Sequence, residues 1–326
     1  MSRVVLVTGA AGFVGSHLVD ALHVETPPPD IIAWRRPELN RDQTRTTSKS
    51  ATNITWSEVN VLDPQSVEAA LLEAKPSEVF HCAGIASVSG SWDNIVDTLA
   101  TNVRGTKHLL DGLRQIQVCA RILVPGSALV YRPKHGALTE TDPLGPVNPY
   151  GLSKLAQEML AVQRNSKNQQ VMLTRSFTHI GARQNLAYAT SSFAHQIARI
   201  EYGQTDSTVR VGILDTHRDV LDVRDTVSAY QALMRHGTPG KIYNVCAGRT
   251  YQMREILSRL ISLARVPIKI RVDEDRVRPN DYPDLRGDPT AITTDVGWKP
   301  KIELDQTLRE ILNYWRTQCS NCTPVR

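Results

Sequence analysis

The first half of the chain alternates short apolar runs rich in β-branched residues with amphipathic segments. The apolar runs predict strands at residues 4–8, 31–34, 54–59, 78–81, 121–125 and 171–175. The amphipathic segments predict helices at residues 13–23, 64–73, 93–113 and 150–164. Strands that alternate with helices are typical of a parallel sheet covered on both faces. With right-handed crossovers, this pattern predicts an α/β fold built on a doubly wound parallel sheet, a Rossmann fold.

The pattern becomes less regular after residue 175. Helices are predicted at 191–202, 253–263 and 304–315, and extended segments at 209–214, 218–222 and 242–245. We therefore expect a dinucleotide-binding Rossmann domain over residues 1–175, with returning elements around 218–248. Residues 176–217 and 249–318 are expected to form a smaller, interleaved substrate-binding lobe. Residues 36–53 are predicted to be a polar surface loop, and the chain after residue 315, including a tail at 319–326, is predicted to fray.

Composition excludes several classes of protein. The chain has 326 residues, of which 41% are hydrophobic and 22% charged, as in ordinary globular proteins. No apolar run approaches the ~18 residues that a membrane span needs. The net charge of +5 is spread along the chain, which argues against nucleic acid but suits a polyanionic small ligand. Five scattered cysteines do not form a disulfide framework, so we expect a cytoplasmic protein.

A glycine-rich loop joins the first predicted strand to the first predicted helix. Its Gly-x-x-Gly-x-x-Gly spacing permits a tight turn, a close approach of backbone amides to a pyrophosphate, and close packing of the helix on the sheet. The helix N-terminus favours the anion. The alternative is a glycine-rich turn without a ligand, but the position between strand and helix favours a dinucleotide. The expected cofactor-binding residues of this loop are Gly9, Ala11, Gly12, Phe13, Val14 and Gly15.

The end of the second strand indicates which dinucleotide binds. Enzymes that use NAD usually place an acidic residue there to hold the ribose 2′-hydroxyl. Here Arg35 and Arg36 follow Trp34, so two guanidinium groups are available for the 2′-phosphate of NADP(H). The alternative is a pair of solvated arginines. Asp63, which ends the third strand segment, is a candidate acceptor for the adenine amino group, or a helix N-cap because Pro64 follows it.

A tyrosine and a lysine lie four residues apart on one predicted helix. Tyr150 and Lys154 therefore share a helix face. A phenol has a pKa near ~10 in water, and a nearby ammonium group together with a cationic nicotinamide ring lowers it towards the working range. Ser127, just past the fifth strand, is placed to hydrogen-bond a substrate carbonyl or hydroxyl. The predicted catalytic residues are Ser127, Tyr150 and Lys154.

These elements together resemble the extended short-chain dehydrogenase/reductases over essentially the whole chain. The resemblance rests on the glycine loop, on Ala83-Gly84, on the Asn102-Val103-x-Gly105-Thr106 segment and on the Ser–Tyr–Lys trio. It implies a bound dinucleotide, a nucleotide-sugar substrate and hydride transfer at the sugar C4. It also implies that helices corresponding to those at residues 93–113 and 150–164 pair across a homodimer.

The second half is similar to the GDP-mannose branch of this family. The segments 175–184, 211–225 and 243–248 carry this similarity, and residues 278–288 resemble a motif of the GDP-4-keto-6-deoxy-D-mannose reductases. Arg218 and Arg278 are candidate clamps for the GDP-sugar diphosphate, because a guanidinium carries forked donors and a fixed charge. The alternative for both is a surface salt bridge. Thr178 departs from the family, which usually has an asparagine there to contact the diphosphate.

The reaction is narrowed by the stretch from Ser127 to Tyr131. In dehydratases of the family, the carboxyl groups that remove the C5 proton and release the C6 hydroxyl follow the active-site Ser or Thr. Here Ala128 and Leu129 carry no ionisable group. The resemblance therefore favours NADPH-dependent reduction of a GDP-4-keto-6-deoxy-hexose, which forms GDP-D-rhamnose. The alternatives are GDP-mannose 4,6-dehydration, with Glu140 or Asp142 reaching the site, nucleotide-sugar 4-epimerisation, and a non-catalytic dinucleotide sensor.

Other features of the sequence say less about function. The histidines have no metal-ligand spacing, so no metal is expected. Cys319 and Cys322 form a Cys-x-x-Cys motif in the tail and are expected to be two exposed thiols. The apolar faces that include Leu109, Leu113 and Met159 fit either a dimer interface or the core, as do the neighbouring Leu110 and Leu160.

Overall fold

The structure is a computed structural model, and it describes residues 3–37, 51–276 and 284–321. In these ranges the strands, numbered in chain order, are β1 Val4–Thr8, β2 Asp30–Arg35, β3 Ile54–Glu58, β4 Glu78–His81, β5 Ala120–Ser127, β6 Ala137–Leu138, β7 Gln169–Ser176, β8 Thr178–Ile180, β9 Thr208–Val211, β10 His217–Asp222, β11 Ile242–Val245, β12 Thr250–Gln252, β13 Lys269–Val272 and β14 Asp284–Gly287.

The helices follow the same numbering. They are α1 Phe13–His23, α2 Pro64–Ala74, α3 Gly90–Asp93, α4 Ile95–Leu99, α5 Gly105–Gln115, α6 Pro149–Val162, α7 Ala189–Glu201, α8 Val223–His236, α9 Met253–Ser262, α10 Thr290–Val296 and α11 Leu304–Asn321. A π-helical turn, Ala100–Arg104, joins α4 to α5, and 3₁₀ turns cover Ala128–Val130 and Glu274–Arg276.

A seven-stranded parallel sheet forms the larger unit, in the order β11-β7-β5-β4-β1-β2-β3. Alternate side chains of each strand point to opposite faces, and both faces are covered by helices. In β1, Val5 and Val7 pack into the core that contains Leu18 of α1 and Leu233 of α8. Leu6 packs on the other face, into the core that α2 and α5 cover. The doubly wound parallel sheet predicted from the sequence is therefore confirmed.

The smaller unit contains a second sheet with the strand order β12-β10-β14-β6, in which β8 also pairs with β10. The strands β13 and β9 form a separate two-stranded sheet. Helices α7, α9 and α11 bury their apolar faces in one core around Ile197, Ile256 and Leu308. Of the returning elements expected around 218–248, β11 and α8 join the seven-stranded unit, whereas β10 lies in the second sheet.

Three predictions about local structure are wrong. The helix predicted at 93–113 is broken at Asn94 and again by the π-helical turn. Helix α11 continues past residue 315 to Asn321, because its last turns still bury apolar surface: Cys319 is only 5% exposed and packs in the core of the smaller unit. The exposed thiol expected at Cys319 is therefore buried, and Cys322 lies outside the described residues.

Candidate active site

The glycine loop forms a tight turn at the carboxyl end of β1, where the strand order of the sheet reverses. Gly9 has φ of +64°, and a side chain there would lie 2.7 Å from the backbone of Ala83. A Cβ on Gly15 would lie 2.3 Å from the carbonyl oxygen of Gly9, so only glycine lets α1 begin this close to the turn. Ligands of doubly wound sheets bind at such a reversal, and the amides at the start of α1 favour an anion.

The other predicted residues of the loop pack against neighbouring parts of the protein. Ala11 is buried, and the Phe13 ring stacks on the His179 ring with 6.0 Å between centroids. Val14 packs against the core below α1. The glycine loop is therefore held from beneath by the sheet and from the side by β8.

The predicted 2′-phosphate site has one feature that the sequence did not show. Arg35 is buried at 6% exposure, and its Nη2 donates to Glu58 Oε1 at 2.6 Å, because β2 and β3 place the two residues opposite each other. The expectation of two freely available guanidinium groups is therefore wrong for Arg35. Its Nε is nonetheless buried without a hydrogen-bond partner in the described part of the chain. An orphaned donor beside the glycine loop fits an anionic ligand group. Arg36 is exposed.

Asp63 caps a helix. Its carboxylate accepts from the Gln65 amide at 3.0 Å at the start of α2. The N-cap alternative is therefore what the structure shows, and a contact with adenine stays a prediction.

Ser127 and Tyr150 are brought together by close packing of α6 on the turn that follows β5. Asn148 caps α6 by accepting from the Gly151 amide at 2.7 Å, which fixes Tyr150 in the first turn. A Cβ on Gly151 would lie 2.4 Å from the Leu129 carbonyl oxygen, so glycine is needed for this approach. The Ser127 hydroxyl therefore lies near the Tyr150 phenol, close enough to affect its pKa.

The charges at this site differ from the sequence-based expectation in one respect. Burial raises the pKa of Tyr150 above its ordinary value, and the hydrogen bond from Ser127 offsets only part of the rise. Burial also lowers the pKa of Lys154 to about 8. Lys154 donates to Gln157, and its charge does not offset the burial of Tyr150 in the protein alone. Lys154 alone therefore does not lower the tyrosine pKa, and Tyr150 holds its proton at neutral pH in the cofactor-free protein, whereas the effect of a bound nicotinamide stays a prediction.

Two carboxyl groups considered for dehydration are engaged elsewhere. Glu140 Oε1 accepts from the Asn244 amide at 2.7 Å. The Asp142 carboxylate accepts from Lys134 Nζ at 2.6 Å and from the Thr139 amide at 2.7 Å. Neither contact lies at Ser127 or Tyr150.

Two of the three candidate residues for the diphosphate lie in strands that the structure describes. Thr178 lies half-buried in β8, beside β10, and Arg218 follows on β10, where it donates to the His217 carbonyl. Arg278 and the motif around it lie outside the described residues. No group of three His, Cys, Asp or Glu side chains in the described ranges is placed to hold a metal ion.

His17 ties the first helix to the segment that follows β8. Its Nε2 lies 3.0 Å from the Ala182 carbonyl oxygen, and burial lowers its pKa to about 4. Burial likewise lowers the pKa of His81 to about 3. Because these histidines bind a proton more readily in the unfolded chain, they destabilise the fold as the pH falls from 6.5 towards 4.

We expect the free energy of unfolding to fall over this range more steeply in the wild type than in His17→Asn. Each unit of pKa difference is worth about 1.4 kcal/mol, so the two pH profiles should diverge by about 3 kcal/mol at pH 4. Urea unfolding at several pH values measures both profiles. Parallel profiles would show that His17 is not held neutral by the fold.

Comparisons with known proteins agree with the fold. The sequence profile of the family described as GDP-mannose 4,6 dehydratase matches residues 6–311. The GDP-6-deoxy-D-mannose reductase of Pseudomonas aeruginosa is 33% identical, over 98% of this chain and 99% of the relative. The structure of RMD from the same organism complexed with NADPH superposes with a TM-score of 0.83 at 31% identity, covering 98% of this chain and all of the other.

More distant relatives catalyse related reactions on other nucleotide sugars. A UDP-glucose 4-epimerase of Thermus thermophilus in complex with NAD superposes with a TM-score of 0.82 at 26% identity, over 96% of this chain and 98% of the other. The fold and these matches identify the chain as an enzyme of the type that includes nucleotide-sugar reductases, dehydratases and epimerases. The chain belongs to the GDP-mannose 4,6 dehydratase family, within the extended short-chain dehydrogenase/reductases.

Proposed function

We propose that the protein reduces the C4 ketone of a GDP-4-keto-6-deoxy-hexose with NADPH and forms GDP-6-deoxy-D-mannose (GDP-D-rhamnose). The observation that carries this proposal is the close approach of Tyr150 to Ser127, which Gly151 allows, with Lys154 one helical turn further on at the carboxyl edge of the sheet. The GDP-6-deoxy-D-mannose reductase that is similar over nearly the whole chain supports the choice of substrate.

Each residue of the trio has a separate task. The bound NADPH supplies the hydride that C4 accepts. Tyr150 donates its phenolic proton to the oxygen of the former ketone, and its raised pKa keeps that proton in place at neutral pH. Ser127 hydrogen-bonds the same oxygen and orients the ketone. Lys154 holds the ribose of the cofactor and stabilises the tyrosinate that remains after proton transfer.

Reduction is favoured over dehydration by the surroundings of Ser127. Elimination of the C6 hydroxyl requires a base at C5 and an acid at C6. Ala128 and Leu129 offer neither, and the nearby acids Glu140 and Asp142 are bound to other groups. The GDP-mannose 4,6-dehydratase activity that names the family profile is therefore the second candidate.

The cofactor proposal is NADP(H), held by the glycine loop and by the end of β2. Arg35 offers its unpaired Nε to the 2′-phosphate, and Arg36 lies exposed beside it. A charge-assisted hydrogen bond contributes about 1.5–3 kcal/mol.

Replacing both arginines with alanine should raise the Kd for NADPH by about 10- to 100-fold and leave the Kd for NADH nearly unchanged. Quenching of protein fluorescence measures both constants. The matched control is Arg254→Ala/Arg309→Ala, which removes two exposed arginines of the smaller unit. Equal losses for NADPH and NADH would show that Arg35 and Arg36 do not bind the 2′-phosphate.

We also propose that two copies pair through α4, the π-helical turn and α6, in the cytoplasm. These elements pack side by side and expose Val96, Leu152 and Met159, which are 78%, 50% and 64% exposed. Leu109, Leu110 and Leu113 do not belong to this surface, because all three are fully buried in the core. Sedimentation velocity measures the oligomeric state. No helix in the described ranges is long and apolar enough to cross a membrane.

A panel of 4-keto-6-deoxy sugars linked to GDP or UDP tests the proposed substrate. We expect loss of NADPH absorbance with the GDP-linked ketose and little with the UDP-linked one. Equal rates with both would contradict the choice of nucleotide, and no oxidation of NADPH with any ketose would contradict reduction.

A further inference from the structure

A chain of buried hydrogen bonds runs from β1 to Lys154 through residues that the reaction above does not use. Thr8 Oγ1 lies 2.9 Å from His81 Nδ1, and His81 Nε2 lies 2.9 Å from Thr106 Oγ1. Gln157 donates from Nε2 to Thr106 Oγ1 at 2.7 Å, and its Oε1 accepts from Lys154 Nζ. All five side chains are buried, with Lys154 the most exposed at 8%.

The direction of these hydrogen bonds follows from Thr106. A hydroxyl group has one hydrogen, and that of Thr106 is donated to the Asn102 carbonyl oxygen at 2.7 Å. Thr106 Oγ1 therefore accepts from its other two neighbours. One is the Nε2–H of His81, and the other is the amide group of Gln157.

The opposite end of the chain agrees with this direction. Thr8 Oγ1 accepts from the Ala83 amide at 3.1 Å, so its own hydrogen is free to be donated to His81 Nδ1. His81 is then the neutral tautomer with hydrogen on Nε2. Burial and the nearby charge of Lys154 lower its pKa to about 3, which agrees with a neutral ring.

The orientation of the Gln157 side chain is therefore fixed. Its amide nitrogen must face Thr106, because Thr106 has no hydrogen left to donate. Its carbonyl oxygen then faces the ammonium group of Lys154. A flipped amide would point two N–H groups at a buried cation.

We propose that Gln157 is a positioning residue, whose Oε1 holds one N–H of the Lys154 ammonium group and leaves the other two for the cofactor ribose. This inference rests on the proposed function, in which Lys154 contacts the cofactor. It also accounts for a buried cation that has no salt-bridge partner in the described part of the chain.

The groups that face Lys154 are otherwise unable to balance its charge. His81 and Cys82 approach it from the end of β4, and burial raises the pKa of the Cys82 thiol to about 12, so both are neutral. Tyr150, from the preceding turn of α6, is protonated. The oxygen of Gln157 is thus the acceptor that stabilises the charged form of Lys154.

Gln157→Met and Gln157→Glu test this proposal in opposite directions. Methionine matches the length of glutamine but offers only a weak sulfur acceptor, whereas glutamate adds a negative charge. We expect the pKa of Lys154, measured in the cofactor-free protein by NMR of ¹⁵N-labelled lysine, to fall by about one unit in the first variant and to rise by about one unit in the second. The Kd for NADPH should rise by about tenfold in Gln157→Met.

Gln163→Met is the matched control, because Gln163 lies exposed at the end of the same helix and should leave the pKa and the Kd unchanged. Melting temperatures monitor folding of each variant. A Lys154 pKa that is the same in wild type, Gln157→Met and Gln157→Glu would overturn the proposal, even if the variants are less stable. Failure of the protein to reduce any GDP-sugar would contradict the proposed function but leave these pKa shifts in place.

Discussion

Replacing Tyr150 with phenylalanine should lower kcat for reduction of the GDP-4-keto-6-deoxy sugar by about 10²- to 10⁴-fold. The ring keeps its packing in the first turn of α6, but the proton that neutralises the forming alkoxide is gone. Ser127 alone cannot replace it, because the pKa of an aliphatic hydroxyl is far higher than that of a phenol. The Kd for NADPH should stay within about twofold, since the phenol does not hold the cofactor.

Single-turnover oxidation of NADPH separates the chemical step from product release and measures this loss. Tyr202→Phe is the matched control, because Tyr202 lies at the end of α7, far along the chain from the site, and is 39% exposed. Rates of Tyr150→Phe similar to those of the control would show that another group supplies the proton.

Replacing Arg175 with methionine should destabilise the fold by about 3–5 kcal/mol. Arg175 Nε and Nη2 donate to the two oxygens of Glu158 at 2.9 and 2.7 Å, and both side chains are buried. The guanidinium also lies over the Tyr131 ring and donates to the Glu140 carbonyl. Without it, Glu158 keeps a charge in the interior with no partner. Urea unfolding of the cofactor-free protein measures the change.

The double variant Arg175→Met/Glu158→Leu should be more stable than Arg175→Met, because it removes the stranded charge together with its partner. Breaking the exposed pair of Arg259 and Glu255 by Arg259→Met is the control and should cost about 1 kcal/mol or less. Glu158→Leu alone completes the comparison. If the losses in free energy of unfolding of Arg175→Met and Glu158→Leu add up to the loss of the double variant, the pair is not coupled as the structure indicates.

Local patterns predicted the cofactor end of the protein well. The strand, the glycines and the helix of residues 4–23 are contiguous, and the pattern of each is set by its own backbone geometry. Tyr150 and Lys154 were accessible for the same reason, since helical spacing alone puts them on one face. The same spacing could have indicated Gln157, three residues after Lys154.

Long-range contacts account for what the sequence did not predict. The π-helical turn that breaks the 93–113 segment contains Asn102, whose side chain bonds both the amide and the carbonyl of Ile85 and also Ser153. No periodicity within the segment encodes those partners. The sequence predicted that Arg35 is freely available because its partner, Glu58, lies on another strand and meets it only through sheet register.

The most direct test of the proposed reaction is product analysis with the purified protein alone. Incubated with NADPH and GDP-4-keto-6-deoxymannose, it should consume the cofactor and form a GDP-6-deoxyhexose, identified by mass spectrometry and NMR. Incubated with GDP-mannose and NADP⁺, it should leave the sugar unchanged. Formation of a 4-keto-6-deoxy product from GDP-mannose would contradict the assignment as a reductase and establish a dehydratase.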